Sequence, residues 1–286
     1  YCDLGYQHMK KKKLDSKEIG LEVGLLIGRF FLNSDDLHYG YWKPDVSVDL
    51  LHCAEAQKTY SDLLLKQIPE NAKSILDVGS GSGNTAKKLI DRGNIVECIS
   101  PSSFLSEEIE KKLGSMVTIY KTLFEKLETD NTYDLILFSE SFQYVPIKKS
   151  LEKCYKLLNS NGYILICDFF QKDPSHFTEL RGGHSFPRFQ NVIQSLKFKE
   201  ISNIDVTEQT APTIQILDDF LTQFGGPLKS LTNFYLENRY PMFSKLLKWK
   251  YRKRIKKLNR IYFSGQLTAQ EFMEQKTYRF MLYQKQ

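Results

Sequence analysis

Three alternating glycines constrain the fold of this chain more than any other feature of its sequence. Residues 75–78 are mainly apolar and predict a short buried strand, which runs directly into Gly79, Gly81 and Gly83. Because glycine lacks a Cβ, the backbone at these positions can turn sharply and approach a ligand closely. A dinucleotide-binding loop reads GxGxxG, whereas Asn84 follows the third glycine here. The spacing therefore favours a nucleotide-like cofactor without a pyrophosphate over NAD.

Asp77 lies two residues before the first glycine, at the end of the predicted strand. Its carboxylate can accept hydrogen bonds from an amine or from the amides of the loop. The plainer interpretation of the loop, a turn in an α/β protein that binds no ligand, stays open on these residues alone.

Short apolar strands alternate with helices after residue 74, which predicts parallel βαβ units that bind ligands at the carboxyl ends of the strands. Seven strands are predicted, at 74–78, 95–99, 117–120, 135–138, 163–168, 200–207 and 277–283. Helices are predicted at 14–32, 48–67, 84–92, 102–113, 150–158 and 187–196, and a helical block at 211–275.

These elements divide the chain into five parts. Met9 is expected to be the natural start, so residues 1–8 are expected not to belong to the native protein. The other parts are N-terminal helices with an aromatic lid (9–69), a cofactor-binding core (70–210), a helical cap insertion (211–275) and a closing strand (276–286). In the lid, residues 37–42 hold three aromatics and a histidine, which either pack a helix on the core or attract a cationic ligand.

The cysteines and the hydropathy limit the environment of the protein. Five widely spaced cysteines without a CxxC pair argue against a disulfide framework and against a zinc site. We therefore expect no metal and a reducing, cytoplasmic location. No segment reaches the roughly 20 apolar residues of a membrane span.

The net charge of +6 is concentrated in one segment. Residues 245–260 contain nine Lys or Arg and no acid, so the remainder of the chain carries a net charge of −3. An apolar stripe runs through the same region, at Phe243, Leu247, Tyr251, Ile255, Leu258 and Tyr262. We expect a cap helix that packs this stripe on the core. The alternatives are peripheral contact of residues 243–262 with an anionic membrane and binding to nucleic acid.

Three motifs, in this order, resemble those of the class I S-adenosylmethionine-dependent methyltransferases. Residues 76–83 are similar to the first motif of that family, residues 133–136 to its strand-four motif and residues 157–162 to the turn before its fifth strand. The resemblance implies an α/β fold with a Rossmann-like, seven-stranded, mostly parallel sheet and helices on both faces. An N-terminal helical lid and a helical cap before the last strand complete it. The implied cofactor is S-adenosylmethionine, with S-adenosylhomocysteine as product.

Residues 38–42 and 99–101 resemble the branch of this family that methylates small molecules, including sugar O-methyltransferases, tocopherol and sterol C-methyltransferases and cyclopropane fatty acid synthases. The resemblance implies in-line transfer of a methyl group to an O, N or C atom of a small, lipophilic or secondary-metabolite acceptor. The alternatives are an RNA or DNA methyltransferase that uses the basic segment 245–260, and a non-catalytic cofactor-binding protein of the same fold.

The resemblance also implies which residues contact the cofactor. They are Tyr41, Asp77, Gly79, Ser80, Gly81, Gly83, Cys98, Ile99, Ser100, Leu123, Phe124 and Ser139. Many members carry an acid for the ribose hydroxyls where Cys98 stands, and Glu97 is expected to point to the other face of the sheet. No Asp is available for the adenine amine after strand three, so backbone groups of Leu123 and Phe124 are expected to take that role.

Four residues are candidates for a general base. His38, His176 and His184 lie in segments that can face the site, and an unperturbed histidine titrates near pH 6.5, at about the right value for this work. A structural or exposed histidine is the plainer interpretation of each. Glu140, just after strand four, is the alternative base, or a carboxylate that stabilises a cation when carbon is methylated.

Overall fold

A mostly parallel β-sheet forms the centre of the computed structural model, which describes residues 16–173, 180 and 182–286. The predictions for residues 1–8 and for His176 lie outside the described residues. The strands are β1 (Ser74–Val78), β2 (Ile95–Ile99), β3 (Thr118–Tyr120), β4 (Tyr133–Ser139), β5 (Leu158–Gln171), β6 (His184–Ser185), β7 (Phe198–Asp205) and β8 (Lys276–Lys285). Their order is β3-β2-β1-β4-β5-β8-β7, with the two-residue β6 paired to β5. The predicted α/β fold is confirmed, and β6 is an addition to the seven predicted strands.

The direction of the strand connections changes between β1 and β4. Strands β1 to β5 pair in parallel, whereas β8 runs antiparallel between β5 and β7. Because β1 has β2 on one side and β4 on the other, a crevice is expected at the carboxyl ends of β1 and β4. The glycine loop follows β1 and Glu140 follows β4, so the topology places both at this crevice.

Alternation along the strands divides the core into two layers. Ile75 in β1 and Leu137 in β4 join one buried cluster, and their neighbours Leu76 and Phe138 join the other, because successive side chains point to opposite faces. Helices cover both layers. The helices are α1 (Ser16–Ile27), α2 (Cys53–Gln67), α3 (Asn84–Asp91), α4 (Ser103–Leu113), α5 (Ile147–Leu157), α6 (Phe186–Gln194), α7 (Thr207–Thr210), α8 (Pro212–Asp219), α9 (Gly226–Arg239), α10 (Pro241–Tyr262) and α11 (Ala269–Gln275).

Hydroxyl groups begin several of these helices. The Ser102 side chain accepts a hydrogen bond from the Leu105 amide at the start of α4, and Ser185 and Thr268 begin α6 and α11 in the same way. Each cap satisfies a backbone donor that the first helical turn leaves without a partner.

The N-terminal helix exposes the apolar face that its sequence pattern defines. Ile19, Val23, Leu26 and Phe30 are all exposed, whereas Leu25 is buried. The predicted helix over 14–32 ends as a π-helical turn, Gly28–Leu32.

The predicted packing of the basic cap helix is wrong. Within α10 only Ser244 is buried, and the neighbouring element that α10 contacts is α9. In the predicted stripe, from Phe243 to Tyr262, Leu247 is half-buried and the other five side chains are 39% to 54% exposed. In the part of the chain that the structure describes, no helix has the length and apolarity to cross a membrane.

We predict that Leu137→Ala lowers the free energy of unfolding by about 2–5 kcal/mol, since it leaves a cavity in the centre of the sheet. Leu137 is fully buried, whereas Leu51, which serves as the control, is 87% exposed. Urea denaturation of Leu137→Ala and Leu51→Ala measures the difference. Equal losses in the two variants would contradict this account of the core.

Candidate active site

The glycine loop takes a left-handed backbone conformation at all three glycines. Gly79, Gly81 and Gly83 have φ angles of 76°, 54° and 82°. The amides of Gly79 and Ser80 donate to the Ile99 carbonyl at 2.9 and 3.3 Å, which ties the loop to the end of β2. A Cβ on Gly79 would lie 2.5 Å from the Cβ of Ser141, so only glycine fits there.

Asp77 presents a buried carboxylate without a full set of partners. Its side chain is 1% exposed, and no described group donates a hydrogen bond to its Oδ2 atom. Burial raises the pKa of this carboxyl to about 7, against a lowering by Ser80. No described heavy atom lies within 4 Å of the point where a Cβ on Gly81 would stand. A carboxylate that lacks a donor fits a ligand that carries an ammonium group.

The predicted cofactor residues at the end of β2 divide into two kinds. Ile99 contributes its carbonyl to the loop, whereas the Cys98 side chain is fully buried in the core. Ser100 is buried too, and its hydroxyl donates to the Ser102 carbonyl at 3.4 Å. The Glu97 carboxylate accepts hydrogen bonds from the hydroxyls of Tyr120 and Tyr133, away from the glycine loop.

The segment after β3 holds the predicted adenine contacts. The Phe124 ring is buried and packs edge-on against Phe138, so this side chain belongs to the core. Leu123 is 41% exposed. The carbonyls of Leu123 and Phe124 already accept hydrogen bonds from Lys126 and Leu127, at 2.9 and 3.1 Å.

Glu140 lies at the carboxyl end of β4 in a backbone conformation that non-glycine residues rarely adopt. Its φ is 54°, and its amide donates to the Cys167 carbonyl at 2.8 Å. The Oε1 atom accepts hydrogen bonds from the Tyr39 amide at 2.6 Å and from the Tyr278 hydroxyl at 2.8 Å. Burial raises the pKa of Glu140, because these donors and the nearby His38 do not fully offset the loss of water.

A chain of hydroxyl groups leads to Glu140. The Tyr278 hydroxyl donates to Glu140, so its oxygen accepts from the Tyr60 hydroxyl at 2.8 Å. The Tyr60 hydroxyl in turn accepts from Ser139 at 3.2 Å. Each hydroxyl has one proton, and the carboxylate at the end therefore sets the direction of the whole chain.

Aromatic rings cluster beside this carboxylate. The Tyr39 ring lies 5.6 to 6.0 Å, between centroids, from the rings of Phe169, Phe272 and Tyr278. The lid supplies Tyr39, β5 supplies Phe169, α11 supplies Phe272 and β8 supplies Tyr278. A cluster of aromatic rings beside a carboxylate suits a group that carries or develops positive charge.

A second buried carboxylate lies close by. Asp168 accepts hydrogen bonds from the amides of Gln143 and Phe169, at 3.0 and 2.8 Å. Burial raises its pKa to about 8, and the charge of Glu140 acts in the same direction. On the far side of the Phe169 ring, Lys276 donates to the Gly182 carbonyl at 2.8 Å, and desolvation lowers its pKa to about 8.

The two candidate histidines that the structure describes, His38 and His184, both contact groups within the protein. In His38, Nδ1 lies 2.8 Å from the Tyr39 carbonyl and Nε2 lies 3.2 Å from the Ser61 hydroxyl, so both ring nitrogens have partners. In His184, Nε2 lies 2.8 Å from the Val145 carbonyl, which fixes the loop after Glu140. These contacts favour the structural interpretation of both residues, and among the candidates that the structure describes they leave Glu140 as the base, while His176 stays an untested prediction.

The aromatic lid is attached to two helices. The Tyr41 amide donates to the Ala56 carbonyl in α2, and the Gly40 amide and the Trp42 indole both donate to the Thr213 hydroxyl in α8, at 3.0 Å. Trp42 is buried and packs, whereas Tyr39 reaches Glu140. Tyr39 makes this contact through its backbone amide, so the packing interpretation is confirmed for Trp42, whereas the attraction of a cationic ligand by the aromatic faces stays a prediction.

Sequence reasoning missed Tyr60, Tyr278, Phe169, Phe272 and Asp168. Tyr60 lies 79 residues from Ser139, and Tyr278 lies 138 residues from Glu140, so no local pattern connects them. The available signal was their placement on predicted elements: Tyr278 is the second residue of the predicted closing strand, and Asp168 ends the predicted fifth strand.

Comparison with known proteins agrees with this geometry. A family described as "Methyltransferase domain" matches residues 76–166, from β1 into β5. The "Ubiquinone/menaquinone biosynthesis C-methyltransferase UbiE" of Rickettsia akari is 29% identical over 160 residues. The alignment covers 50% of this chain and 63% of that relative, which is less than two thirds of its length.

Solved structures share the fold over nearly the whole chain. The mycolic acid cyclopropane synthase CmaA1, complexed with SAH and CTAB, is 15% identical with a TM-score of 0.66, covering 96% of this chain and 100% of its own. The geranyl diphosphate C-methyltransferase of Streptomyces coelicolor A3(2), in complex with Mg²⁺, geranyl diphosphate and S-adenosyl-L-homocysteine, is 13% identical with a TM-score of 0.62. It covers 91% of this chain and 97% of its own. At these identities the likeness establishes the fold.

We predict that Asp77→Asn changes how stability depends on pH. Burial raises the pKa of the Asp77 carboxyl to about 7 in the folded protein, whereas an exposed Asp in the unfolded chain has a pKa of about 3.9. Between these values the folded wild type binds more protons than the unfolded chain. Its free energy of unfolding therefore falls as pH rises, by up to about 1.4 kcal/mol per pH unit for one proton.

The Asn variant lacks this pH dependence. The free energy of unfolding of Asp77→Asn, relative to that of the wild type, therefore increases as pH rises toward 7. Urea denaturation across this window measures the effect, with the exposed Asp130→Asn as control. Identical pH profiles for wild type and Asp77→Asn would contradict the assignment of a proton to Asp77.

Proposed function

We propose that this chain is a class I S-adenosylmethionine-dependent methyltransferase and that it methylates carbon in a small, unsaturated, lipophilic acceptor. The observation that carries the proposal is the half-buried Glu140 carboxylate beside a cluster of packed aromatic rings. The names of the C-methyltransferases to which the chain is similar support the choice of carbon.

The glycine loop and Asp77 are the proposed holders of the methionine end of the cofactor. The Asp77 Oδ2 atom lacks a described donor, and the ammonium group of the cofactor can supply one. The amino end of α3 follows Gly83 directly, and its amides suit a carboxylate. When bound, S-adenosylmethionine supplies a methyl group that the positive charge on sulfur already activates. The protein then has to align the acceptor and exclude water.

The cluster of aromatic rings beside Glu140 suits the positive charge that such an acceptor develops. Attack by an alkene or an electron-rich ring carbon on a methyl group leaves positive charge on the acceptor. The faces of Tyr39, Phe169 and Phe272 attract that charge by about 0.5–2 kcal/mol for each good contact. The apolar rings also favour a lipophilic acceptor over a sugar, because a buried sugar hydroxyl needs a hydrogen-bond partner.

Glu140 is the proposed base that removes the proton from the methylated carbon. Its burial raises its pKa, which makes it a better proton acceptor than an exposed carboxylate. The Tyr278 hydroxyl and the Tyr39 amide hold the carboxylate in place. In this proposal Tyr278 and Tyr39 are positioning groups, and the hydroxyls of Tyr60 and Ser139 orient Tyr278.

We predict that S-adenosylmethionine raises the melting temperature of the wild-type protein and that NAD does not. A ligand at about 100 times its Kd adds about 2.7 kcal/mol to the free energy of unfolding. Gly81→Val adds a side chain to the glycine loop that is proposed to hold the cofactor, and it is expected to abolish the shift. Gly93→Val is the matched control, because Gly93 also has a positive φ, of 88°, with no described atom near its Cβ position. A shift of equal size in both variants would refute the proposed cofactor loop.

We predict that Glu140→Gln lowers kcat about 10²- to 10⁴-fold, the usual contribution of a general base, while the thermal shift by S-adenosylmethionine persists. Tyr278→Phe keeps the ring and removes one hydrogen bond to Glu140, so a smaller loss of kcat is expected. Glu128→Gln, at an exposed position, is the control.

Turnover is measured as transfer of a labelled methyl group into prenylated quinol, prenyl diphosphate and unsaturated fatty acyl acceptors. Full activity of Glu140→Gln would exclude Glu140 as the base. Label found only in RNA or DNA would instead establish the nucleic-acid alternative.

A further inference from the structure

Helices α9 and α10 form a hairpin that stands away from the core. None of the α9 side chains is buried, and in α10 only Ser244 is. Lys248 pairs with Glu237 near the connection between the helices, and Lys229 donates to Asn259 nearer their other ends, at 3.0 Å. These contacts show that the two helices run antiparallel and pack against each other.

Three large apolar side chains lie on one exposed row of α10. Met242, Leu246 and Trp249 are separated by four and three residues, which places them on the same side of a helix. They are 85%, 56% and 70% exposed. Leu247 lies two residues from Trp249, which places it on the opposite side of the helix from Trp249. Its side chain is half-buried. The row thus faces solvent and does not contribute to the packing within the hairpin.

The same row continues as a basic surface. Lys253 follows Trp249 by four residues, and Lys256 and Lys257 follow Lys253 by three and four. All three are exposed. The sequence of α10 contains nine Lys or Arg and no Asp or Glu. An exposed apolar row joined to a helix without acids has the composition of helices that lie on anionic membranes.

We propose that α10 docks this protein on an anionic lipid bilayer. Met242, Leu246 and Trp249 enter the boundary between the headgroups and the acyl chains, and Lys253, Lys256 and Lys257 contact lipid phosphates. The proposal goes beyond the proposed methyl transfer and does not depend on it, because it rests on the surface of α10 alone.

Two other occupants fit this surface less well. A second copy of the chain on the same face brings two sets of lysines together, and like charges oppose that contact. Nucleic acid satisfies the lysines, but phosphate contacts give no reason for Met242 and Leu246 to be exposed beside them. Only a bilayer accounts for the apolar and the basic parts of the row together.

Trp249 provides a direct probe of insertion. The chain has two tryptophans, of which Trp42 is 4% exposed and Trp249 is 70% exposed. Vesicles of equal parts phosphatidylglycerol and phosphatidylcholine are expected to shift tryptophan emission to shorter wavelength, and brominated acyl chains are expected to quench it. Trp249→Phe should abolish both changes. Vesicles of phosphatidylcholine alone should produce neither.

The charges are tested by co-sedimentation with the same vesicles, without cofactor or acceptor. The triple variant Lys253→Gln, Lys256→Gln, Lys257→Gln is expected to bind roughly 100-fold more weakly, at about 1 kcal/mol for each charge near an anionic surface. The control replaces the exposed Lys148, Lys149 and Lys156 of α5 by Gln and is expected to bind as the wild type does. Because all six positions are exposed, unchanged circular dichroism verifies that both variants fold.

Several results would overturn the proposal. These are no binding to anionic vesicles, equal binding to neutral vesicles, unchanged binding of the α10 variant, or an equal loss in the α5 control. Protection of Trp249 from acrylamide quenching in a dimer would assign the surface to a second copy. Tighter binding to an RNA oligonucleotide than to vesicles, lost in the α10 variant, would assign it to nucleic acid. Loss of methyl transfer alone would leave vesicle binding unchanged and would concern only the proposed function.

Discussion

Removal of water from three carboxylates is the constraint on which the site depends. Asp77, Glu140 and Asp168 lie at the ends of β1, β4 and β5, and burial raises the pKa of each. A buried carboxylate is costly unless donors replace the lost water. Two backbone amides and the Gln143 side-chain amide donate to Asp168, and a backbone amide and a tyrosine hydroxyl donate to Glu140. Asp77 keeps an oxygen without a described donor. A ligand amine therefore has most to contribute at Asp77.

The donors of Glu140 come from opposite ends of the chain. The Tyr39 amide belongs to the N-terminal lid, and the Tyr278 hydroxyl belongs to the last strand. The lid and the last strand of the sheet therefore each donate one hydrogen bond to the same carboxylate. The lid also crosses the glycine loop, where the Ser82 hydroxyl donates to the Asp35 carbonyl at 2.7 Å. One short segment therefore contacts both the cofactor loop and the candidate base.

The sequence predicts the parts of the site that are local in the chain. A strand that ends in alternating glycines needs only neighbouring residues to define its turn, so the loop at 79–83 could be predicted from the sequence. The position of Glu140, directly after a predicted strand, could be predicted in the same way. The cluster of aromatic rings could not, since Tyr278 meets Glu140 across 138 residues. Orientation was harder than position: Cys98 and Phe124 lie where the family pattern places cofactor contacts, yet both side chains point into the core. For α10, the apolar stripe in the sequence did not show whether these side chains pack on the core, pack on another helix or face solvent.

The segment before the lid and the segment before the basic hairpin pack together through aromatic rings. The Phe31 ring lies 5.9 Å from the ring of Phe220 and 6.5 Å from that of Phe224, between centroids. Phe31 precedes the segment that supplies Tyr39, and Phe224 directly precedes α9. The part of the molecule that carries the positive charge is thereby joined to the part that covers Glu140. An acceptor dissolved in a bilayer would meet both.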